Sequence, residues 1–357
     1  MTIRPRRSVL YMPGSNARAL DKAKTLPADG VILDLEDSVA PEAKETARQQ
    51  VVDAVRAGGF GAREVFIRVN GVDTPWHADD LSAAAHAAPD AILVPKVSSA
   101  DALEMIGRRL LDMGTNHKTR VWAMIETPLA IFNILSIAAA ERDSETRLSG
   151  FVMGTNDLAK DTRARLVPGR SPMLPWLSMC VAAARTHGID ILDGVYNDIA
   201  NADGFSKECA QGVEFGFDGK TLIHPNQIEA CNKAFSPSTA EVEQARKMIA
   251  AFDLPENKGK GVVSIDGRMV ERLHAILPKQ LFVTKIQAEA LGRIIASRTL
   301  SAMRKDVTGY LYGGDVSRKM KLLQKQKRGK KKLLAHGTGK VNIPEEVFMK
   351  MVQESDR

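Results

Sequence analysis

Two carboxylates, Glu126 and Asp157, stand where their type and spacing could support metal chemistry. Glu126 directly follows the apolar run Val121–Ile125, and Asp157 follows Phe151–Met153 after a three-residue turn. Short apolar runs bounded by turn residues are typical of buried parallel strands, whose carboxyl ends carry the active site in α/β barrels. Two adjacent carboxylates would repel each other, and Mg²⁺ commonly takes one or two protein carboxylates. The residues therefore indicate a shared metal site, or else two separate strand-end caps or ion-pair partners.

The elements that would position these residues repeat a strand and a helix-like segment across residues 1–225. We predict eight strands, which span Ser8–Met12, Gly30–Leu35, Val65–Val69, Ala91–Val97, Arg120–Ile125, Ser149–Gly154, Ile189–Val195 and Phe217–Ile223. Ala-rich amphipathic segments lie between them, among them Pro41–Ala57, Asp79–Ala87, Ala100–Met113 and Pro172–His187. Eight βα units predict an α/β fold, a closed (β/α)₈ TIM barrel rather than an open doubly wound sheet. An open sheet would also be expected to carry a glycine-rich dinucleotide-binding turn, GxGxxG, after its first strand, and Met12–Asn16 does not match that pattern.

The predicted strand ends carry many polar residues, namely Asp34, Glu36, Asp37, Arg68, Asn70, Lys96, Glu126, Asn156, Asp157, Asp193 and His224. Any one of them could be a satisfied polar cap. Their convergence on one barrel mouth is harder to explain in that way, because burying many charges together is costly without a ligand or metal that pairs them. The pattern therefore predicts a polar active site at the mouth.

The composition indicates a soluble globular protein of 357 residues, 44% of them hydrophobic, with no apolar run of membrane-spanning length. The basic N-terminus lacks the apolar core of a secretory signal. Three widely spaced cysteines without a CxxC pattern suit a reducing compartment and argue against a disulfide or zinc framework. We therefore expect a cytoplasmic protein.

The formal charge of +7 divides unevenly along the chain. Residues 275–357 contain 18 Lys and Arg against 7 Asp and Glu, a net of +11, whereas residues 1–274 contain 32 against 36. Such a split predicts two modules with different partners. The basic run Ser317–Lys332 would make several salt-sensitive contacts with RNA phosphates. A run of this kind is in general more often a solvated tail or an import-like patch.

Eight motifs carry a family resemblance: RSVLYMPGSNARAL, VILDLEDSV, VFIRVNG, LVPKV, MIETPLAI, MGTNDLAKD, ILDGVYNDI and GFDGKTLIHPNQI. In this order and spacing they resemble the citrate lyase β-subunit-like (CitE-like) branch of the HpcH/HpaI aldolase family, over residues 5–274. The resemblance implies a Mg²⁺-dependent TIM-barrel lyase that acts on acyl-CoA thioesters such as malyl-, citramalyl- or citryl-CoA. It also implies a homo-oligomer, a trimer or hexamer, assembled through the barrel.

By the same resemblance Arg68 matches the family's substrate-carboxylate arginine, and Glu36 with Asp37 matches its acidic strand-2 motif, which would be catalytic. The alternative for Arg68 is an ion pair with Asp34 or Glu36 inside the barrel mouth. Two basic residues near the start of the chain lie close to where the family holds the CoA phosphates, Arg18 and Lys22.

Glu126 and Asp157 match the family's metal ligands, and the chemistry of the implied reaction agrees with that match. Cleavage beside the hydroxyl-bearing carbon requires loss of the hydroxyl proton and a place for the thioester enolate, and Mg²⁺ can act there as Lewis acid and template. The planar fork of Arg68 suits a carboxylate or an enolate oxygen. Backbone N–H groups could hold the substrate carboxylate at a helix start, namely those of Gly154, Thr155 and Asn156.

Residues 257–274 match the family's linker, a short strand and the start of a C-terminal lid that closes over a neighbouring subunit. The acidic residue of that lid, a proton donor or acceptor, corresponds here to Glu271, where relatives often have Asp. Because one extra methylene can misplace a proton-transfer group, Asp266 is a second candidate.

From residue 275 onward the chain resembles a different family, the C-terminal domain of the ribosome-associated translational GTPase LepA. The most specific pieces are LPKQLF, GRIIASRT, MRKDV, YGGDVSRKMKLLQKQKRGKKK and VNIPEEVF. The segment 267–274 is also typical of the helix before LPKQ, so the junction would lie within a helix. We therefore predict a barrel over residues 1–256, a linker and truncated lid over 257–274, and a small basic α+β module over 275–357 that binds RNA or the ribosome.

The sequence thus predicts a Mg²⁺-dependent carbon–carbon lyase that cleaves or forms a 3-hydroxyacyl-CoA thioester. The first alternative is a malyl-CoA thioesterase of the same family. The second alternative, from a different class of protein, is a ribosome- or RNA-binding fusion whose barrel is inactive.

Overall fold

The structure is a computed structural model that describes residues 4–257, 262–265, 268–271, 284–290 and 293–300. The described chain divides into one compact unit over Arg4–Ser236 and a second that begins at Pro237. This division falls earlier in the chain than the predicted boundary after residue 256. In the described residues no helix has both the length and the apolarity that crossing a membrane requires.

Eight parallel strands close into a barrel in chain order, with β1 paired to both β2 and β8. They are β1 Ser8–Pro13, β2 Gly30–Asp34, β3 Glu64–Arg68, β4 Ala91–Val94, β5 Arg120–Ile125, β6 Leu148–Met153, β7 Asp190–Asp193 and β8 Gly219–Leu222. All eight predicted strands are confirmed, as is the (β/α)₈ fold. Most are buried along their whole length, as expected for strands covered on both faces.

Helices follow the strands and cover the outside of the barrel. They are α1 Ala17–Ala23, α2 Lys44–Ala57, α3 His77–Ala87, α4 Ala100–Asp112, α5 Pro128–Ala139, α6 Thr155–Thr162, α7 Leu174–His187, α8 Ala202–Phe215 and α9 Ile228–Ala234. Side chains of Asn16, Ser99, Thr127 and Asn201 accept hydrogen bonds from the first turns of α1, α4, α5 and α8. Such caps satisfy N–H groups that a helix start leaves without partners.

The barrel interior is filled by large apolar side chains rather than by solvent. Phe66 and Trp122 meet edge to face at 5.3 Å between ring centroids. A Cβ atom at Gly150 would lie 2.6 Å from the indole of Trp122, so glycine is required there to leave room for the ring. Below the indole, the guanidinium of Arg6 lies 5.3 Å from the ring centroid and pairs with Glu64. This packed floor restricts chemistry to the carboxyl ends of the strands.

The second unit begins with α10 Thr239–Asp253, which a capping box between Ser238 and Glu241 starts. Strands β9 Val262–Ile265 and β10 Arg268–Glu271 pair antiparallel, as do β11 Thr284–Ala290 and β12 Arg293–Leu300. The helical interpretation of the segment 267–274 is therefore wrong for Arg268–Glu271, where four residues pair as a strand instead. The basic run Ser317–Lys332 lies outside the described residues.

Candidate active site

A cleft of about 310 Å³ opens at the carboxyl ends of the barrel strands. Its lining includes most of the predicted site residues, namely Asp37, Arg68, Glu126, Gly154, Thr155, Asn156 and Asp157. Tyr11, Asp34, Ser38, Met124, Met153, Val195, Thr221 and Ile223 complete it. The fold therefore brings residues from seven of the eight strands, or from the segments that directly follow them, to one place.

Arg68, at the end of β3, is held by the acidic segment that follows β2. Its Nε and Nη2 atoms donate to the two carboxylate oxygens of Asp34 at 2.6 and 2.7 Å. Its Nη1 atom lies 2.8 Å from Glu36 Oε2 and donates to Asp37 Oδ2 at 3.2 Å. The ring of Tyr11 covers the guanidinium at 4.8 Å. The structure thus contains the ion-pair arrangement that was the alternative for Arg68, and the fork is occupied by Asp34.

This pairing shifts the pKa values of both partners in the directions that keep both of them charged. Burial alone would raise the pKa of Asp34, but the charge and hydrogen bonds of Arg68 outweigh it, and the pKa of Asp34 lies below its ordinary value. Burial likewise opposes the charge of Arg68, yet Asp34, Tyr11 and Glu36 together raise its pKa well above the ordinary value. Arg68 and Asp34 therefore form a permanent ion pair that a substrate must approach as a unit.

Glu36 is buried beside this pair and is less well satisfied. Its Oε1 atom lies 3.7 Å from Lys96 Nζ. Its Oε2 atom is close to Arg68 but outside hydrogen-bonding alignment, so it is a buried oxygen without a hydrogen bond. Burial, opposed by Arg68 and reinforced by Asp37 and Asp34, raises the pKa of Glu36 to about 7. A carboxyl group with this pKa can exchange a proton near neutral pH.

Glu126 follows β5 and is 2% exposed. The backbone N–H of Lys96 donates to its Oε1 atom at 2.7 Å. On its other side a Cβ atom at Gly154 would lie 2.4 Å from Glu126 Oε2, so only glycine leaves space for the carboxylate. Burial, followed by the charge of Glu36 and with a further contribution from Asp157, raises the pKa of Glu126 to about 8. This carboxylate is oriented by the protein but not neutralised by it.

Asp157 is half-buried in the first turn of α6, which begins directly after β6. It lines the cleft with Glu126. Its neighbour Asn156 exchanges two hydrogen bonds with Asn197, from Asn156 Nδ2 to Asn197 Oδ1 at 3.1 Å and from Asn197 Nδ2 to Asn156 Oδ1 at 2.8 Å. The amide pair ties the start of α6 to the loop after β7 and so fixes the turn that carries Asp157.

The donor set at this mouth fits a hard divalent cation. Oxygen ligands suit Mg²⁺, and a cation would neutralise Glu126, whose charged form is otherwise disfavoured by burial and like charges. In the described part of the chain, no group of three or more His, Cys, Asp or Glu is placed to hold a metal. Two protein carboxylates with substrate and water oxygens are the coordination that Mg²⁺ commonly accepts.

Arg18 and Lys22 are not among the residues that line the cleft. Arg18 and Lys22 are exposed one turn apart on α1. The backbone of Glu271 pairs with Val262 in the second unit. Asp266 lies outside the described residues.

Several residues that shape the site carry weak sequence signals. Lys44 is buried in α2 and donates to the carbonyl oxygens of Leu35 and Glu36 at 2.8 and 2.7 Å and to Asn70 Oδ1 at 2.7 Å. It therefore fixes the acidic segment from inside. A helix lysine gives no sign of this from the sequence alone. The place of Tyr11 in the site could have been predicted from the sequence. Tyr11 stands two residues after Val9 in β1, so both side chains lie on the interior face of the barrel.

A second charged cluster lies under the loops that follow β6 and β7. Asp193 is fully buried and accepts from Arg170 Nη1 at 2.7 and 2.9 Å and from Lys220 Nζ at 2.9 Å. Lys220 also donates to Glu208 Oε1 at 2.7 Å. Asp193 was predicted to be a strand-end polar residue at the mouth, and the structure instead pairs its carboxylate with these two cations.

Comparisons with known proteins agree with this architecture. The family model HpcH/HpaI aldolase/citrate lyase matches residues 7–225. (3S)-malyl-CoA thioesterase from Cereibacter sphaeroides (strain ATCC 17023) is 47% identical over 82% of this chain and 98% of its own. Citrate lyase subunit beta from Escherichia coli (strain K12) is 35% identical over 75% of this chain and 89% of its own. The crystal structure of CitE from Mycobacterium tuberculosis in complex with magnesium, acetoacetate and coenzyme A superposes with a TM-score of 0.59. That protein is 30% identical, and the match covers 75% of this chain and 94% of that one.

A second family model, GTP-binding protein LepA C-terminus, matches residues 259–353. The two models do not overlap, since the first ends at residue 225. The thioesterase match spans 82% of the chain, so it extends past residue 259 into the segment that the LepA model covers. With the barrel, its polar mouth and these matches together, the chain belongs to the HpcH/HpaI aldolase/citrate lyase family and carries a LepA C-terminus-like segment after its barrel.

Proposed function

We propose that this protein is a Mg²⁺-dependent enzyme that hydrolyses the thioester of a 3-hydroxyacyl-CoA with a free carboxylate, such as (3S)-malyl-CoA. The single observation that carries the proposal is the 47% identity to (3S)-malyl-CoA thioesterase across 98% of that protein's length. The cleft supports it, because Glu126, a buried carboxylate suited to a hard cation, lines it, and Glu36, whose pKa is about 7, lies beside the lining residue Arg68.

Glu126 and Asp157 are the residues that would hold Mg²⁺. When bound there, the ion supplies Lewis-acid polarisation and a template for substrate oxygens. Lys96 keeps Glu126 in the orientation that this requires through its backbone N–H. The Asn156–Asn197 amide pair does the same for the turn that carries Asp157.

Glu36 is the residue best suited to move a proton. In hydrolysis it would accept a proton from water as the water oxygen bonds to the thioester carbonyl carbon. The carbon–sulfur bond then breaks, and the proton passes to the leaving sulfur to give the CoA thiol. Its pKa of about 7 allows both halves of this transfer near neutral pH. Arg68, whose Nη1 edge faces this carboxylate, would stabilise negative charge on the thioester oxygen.

Carbon–carbon cleavage is a second candidate reaction, which the 35% identity to citrate lyase subunit beta favours. Here Glu36 would remove the proton of the substrate hydroxyl, the bond between C2 and C3 would break, and Arg68 would stabilise the thioester enolate. For malyl-CoA the products would be acetyl-CoA and glyoxylate. The same residues serve both reactions, so the products decide between them.

The test is incubation of the full-length protein with (3S)-malyl-CoA, with and without Mg²⁺. Hydrolysis releases malate and a free CoA thiol that a thiol reagent detects, whereas cleavage yields acetyl-CoA and glyoxylate without free thiol. We expect thiol release that depends on Mg²⁺ and is lost in Glu126→Gln. Glyoxylate without thiol would replace hydrolysis by cleavage as the reaction, and the absence of both products would contradict the proposed function.

We propose that the segment that follows the barrel binds structured RNA. The RNA that it binds would be that of the ribosome. The match of residues 259–353 to the LepA C-terminus model and the net charge of +11 over residues 275–357 support this role. Clustered Lys and Arg bind RNA by neutralising phosphates, independently of the chemistry at the barrel mouth.

A further inference from the structure

Lys96 stands at the end of β4 in an unusual backbone conformation. Its φ is +55°, in the left-handed region that residues other than glycine rarely adopt. Ala88 and Arg163 share such a φ at helix ends, where this conformation is common, and Arg147 and Arg170 share it in connecting segments. At Lys96 it falls in the turn that directly follows β4, at the carboxyl end of the barrel, and non-glycine residues in this conformation concentrate at functional sites.

This conformation directs the backbone N–H of Lys96 toward the carboxylate of Glu126. It donates to Glu126 Oε1 at 2.7 Å and so becomes the contact that orients this buried carboxylate. Gly154 lies against the opposite oxygen. The main chain of Lys96 is therefore part of the support for Glu126, whichever side chain residue 96 carries.

The side chain of Lys96 is not part of this backbone contact, and its ammonium carries hydrogen-bond donors of its own. Its ammonium is half-exposed at the rim of the cleft, and its ion pair with Glu36 Oε1 is long, at 3.7 Å. Lys44, in contrast, uses all three of its donors on Leu35, Glu36 and Asn70. Arg68 has its fork committed to the Asp34 carboxylate. Of these three cations, Lys96 is the one whose side chain makes no hydrogen bond to the part of the chain that the structure describes.

The charge balance of the mouth indicates which ligand that would be. Five carboxyl groups lie near three cations there, Arg68, Lys96 and the buried Lys44, and the carboxyl groups are those of Asp34, Glu36, Asp37, Glu126 and Asp157. Apart from a cation held by Glu126 and Asp157, an anionic group that enters from solvent would find a compensating charge beside the ammonium of Lys96. A charged donor also gains more from a carboxylate than from a neutral carbonyl oxygen.

We propose that Lys96 determines acyl-group specificity: its ammonium binds the free carboxylate of the substrate's acyl group, while its backbone N–H holds Glu126 in place. This inference rests on the proposed function, an enzyme that acts on acyl-CoA thioesters, and it names the substrate class as acyl groups that end in a carboxylate. When the carboxylate arrives, Glu36 loses its long ion pair with Lys96 and keeps its closer neighbour Arg68.

The first test compares (3S)-malyl-CoA with (3R)-3-hydroxybutyryl-CoA, which has a methyl group in place of the carboxylate and the same arrangement about C3. In Lys96→Met we expect kcat/KM for malyl-CoA to fall about 30-fold, mainly through KM, with little change for the butyryl analogue, since one charge-assisted hydrogen bond is lost. Lys96→Arg should restore most of the loss. Lys160→Met, which removes an exposed lysine of α6, is the matched control. Equal losses on both substrates would overturn the specificity role.

The second test does not depend on turnover. Calorimetric titration with L-malate in the presence of Mg²⁺ should show weaker binding to Lys96→Met than to the wild type, and no difference for 3-hydroxybutyrate. If the wild type processed neither thioester, the proposed function would fail while this titration still tested Lys96. Malate binding that is unchanged in Lys96→Met would contradict the inference even in an active enzyme.

A third variant separates the backbone from the side chain. Lys96→Gly removes the ammonium, keeps the N–H and accepts a φ of +55° without strain. We expect it to match Lys96→Met in malate binding, to melt at a higher temperature than Lys96→Met, and to keep the Mg²⁺ affinity of the wild type. A loss of Mg²⁺ affinity in both variants would show that the side chain, rather than the N–H, supports Glu126.

Discussion

At the scale of single residues, the burial of Glu126 determines how the mouth can bind a cation. The carboxylate is oriented by Lys96 and Gly154 but carries no ion pair of its own, and its pKa is raised to about 8. A divalent cation would compensate both the burial and the repulsion from Asp157. The structure therefore makes the carboxylate pair, rather than either residue alone, the unit that a mutation should test.

We predict that Glu126→Gln weakens Mg²⁺ binding at least about 10-fold, because one of the two negatively charged carboxylates that would bind the ion is replaced by a neutral amide. Isothermal titration calorimetry with Mg²⁺ measures the change directly. Asp161→Asn is the control, since it removes an exposed acid from the opposite end of α6. Similar Mg²⁺ affinities in the wild type and Glu126→Gln would place the metal elsewhere.

We predict that Arg68→Lys lowers kcat/KM for malyl-CoA about 100-fold while the barrel stays folded. Lysine keeps the charge but cannot make the two parallel bonds to Asp34 at 2.6 and 2.7 Å, so Asp34 would be left partly unpaired beside the substrate. Steady-state kinetics gives the loss, and Arg109→Lys on the exposed face of α4 is the matched control. Near-normal kinetics in Arg68→Lys would assign the arginine a structural role only.

The candidate site residues were predictable where the sequence places a polar residue directly at a strand end. Arg68, Glu126 and the 154–157 turn belong to this group, and the structure brings them to one cleft. Other contributors were not predictable. The role of Lys44 depends on a helix that packs its ammonium under a loop, and that of the Lys96 backbone depends on a dihedral angle. Neither leaves a periodic or compositional trace in the sequence.

At the scale of elements, the junction of β6 and α6 is the tightest part of the site. A Cβ atom at position 154 would lie 2.4 Å from both Cβ and Oε2 of Glu126. We predict that Gly154→Ala displaces Glu126 and lowers Mg²⁺ affinity as strongly as Glu126→Gln, which calorimetry would measure. Gly71→Ala is the control, because its added Cβ would come only within 3.9 Å of Thr74. Full Mg²⁺ affinity in Gly154→Ala would mean that the junction can relax.

The cluster around Asp193 ties β7, β8, α8 and the loop before α7 together. Burial would raise the pKa of Asp193, but the charges of Lys220 and Arg170 outweigh it and hold the pKa below the ordinary value of 3.8. A carboxyl group of lowered pKa contributes stability that is present above its unfolded pKa and lost as pH falls through its folded pKa. The cluster should therefore stabilise the barrel at neutral pH and lose this effect in strong acid.

We predict that Asp193→Asn lowers the free energy of unfolding at pH 7 by about 3–5 kcal/mol, since it leaves two buried cations unpaired. The difference from the wild type should begin to shrink as pH falls below 3.8, the ordinary pKa, and should vanish as pH falls through the lowered pKa of Asp193 in the folded protein. Urea titration followed by tryptophan fluorescence reports the barrel alone, because Trp76, Trp122 and Trp176 all lie in it. Asp198→Asn, at an exposed position of the same loop, is the control. A difference that did not depend on pH would contradict this account.

The element order was the most predictable feature of the protein, since each strand is a short apolar run and each is followed by an amphipathic helix. The boundaries shifted by a few residues where a polar residue continues the chain, as at β4, which ends at Val94 before the turn to Lys96. The segment 267–274 was also interpreted as a helix, because its apolar residues Met269, Val270 and Leu273 have the i, i+1, i+4 spacing of one helix face. Pairing with β9 decides the outcome for Arg268–Glu271, and a single sequence does not show such pairing.

At the scale of the whole molecule, the chain joins two units whose sequence matches differ in kind. The barrel matches the HpcH/HpaI model, and residues 259–353 match the LepA C-terminus model. The charge separates in the same way, with a net of +11 in residues 275–357 and an acidic balance before them. Two functions on one chain would be independent if neither shares residues with the other, which is a testable property.

We predict that the full-length protein binds structured ribosomal RNA through its C-terminal segment. The logarithm of its affinity should fall with the logarithm of salt concentration by about 0.9 per phosphate contacted, so a patch with about five contacts loses orders of magnitude between low and moderate salt. Six basic residues would carry much of this slope, namely Lys325, Lys327, Arg328, Lys330, Lys331 and Lys332. Replacing all six with Gln should flatten the slope in filter-binding measurements at several salt concentrations.

The same variant tests whether the two units act separately. Its turnover of malyl-CoA should equal that of the wild type, because the residues to which the chemistry of the cleft is assigned all belong to the barrel unit, Arg4–Ser236. Conversely, Glu126→Gln should lose turnover and keep the full salt slope for RNA. If the six-Gln variant lost turnover together with RNA binding, the barrel would depend on the segment that follows it. Salt-independent binding to RNA, or none, would remove the basic run as the basis of recognition, since phosphate contacts must release counterions.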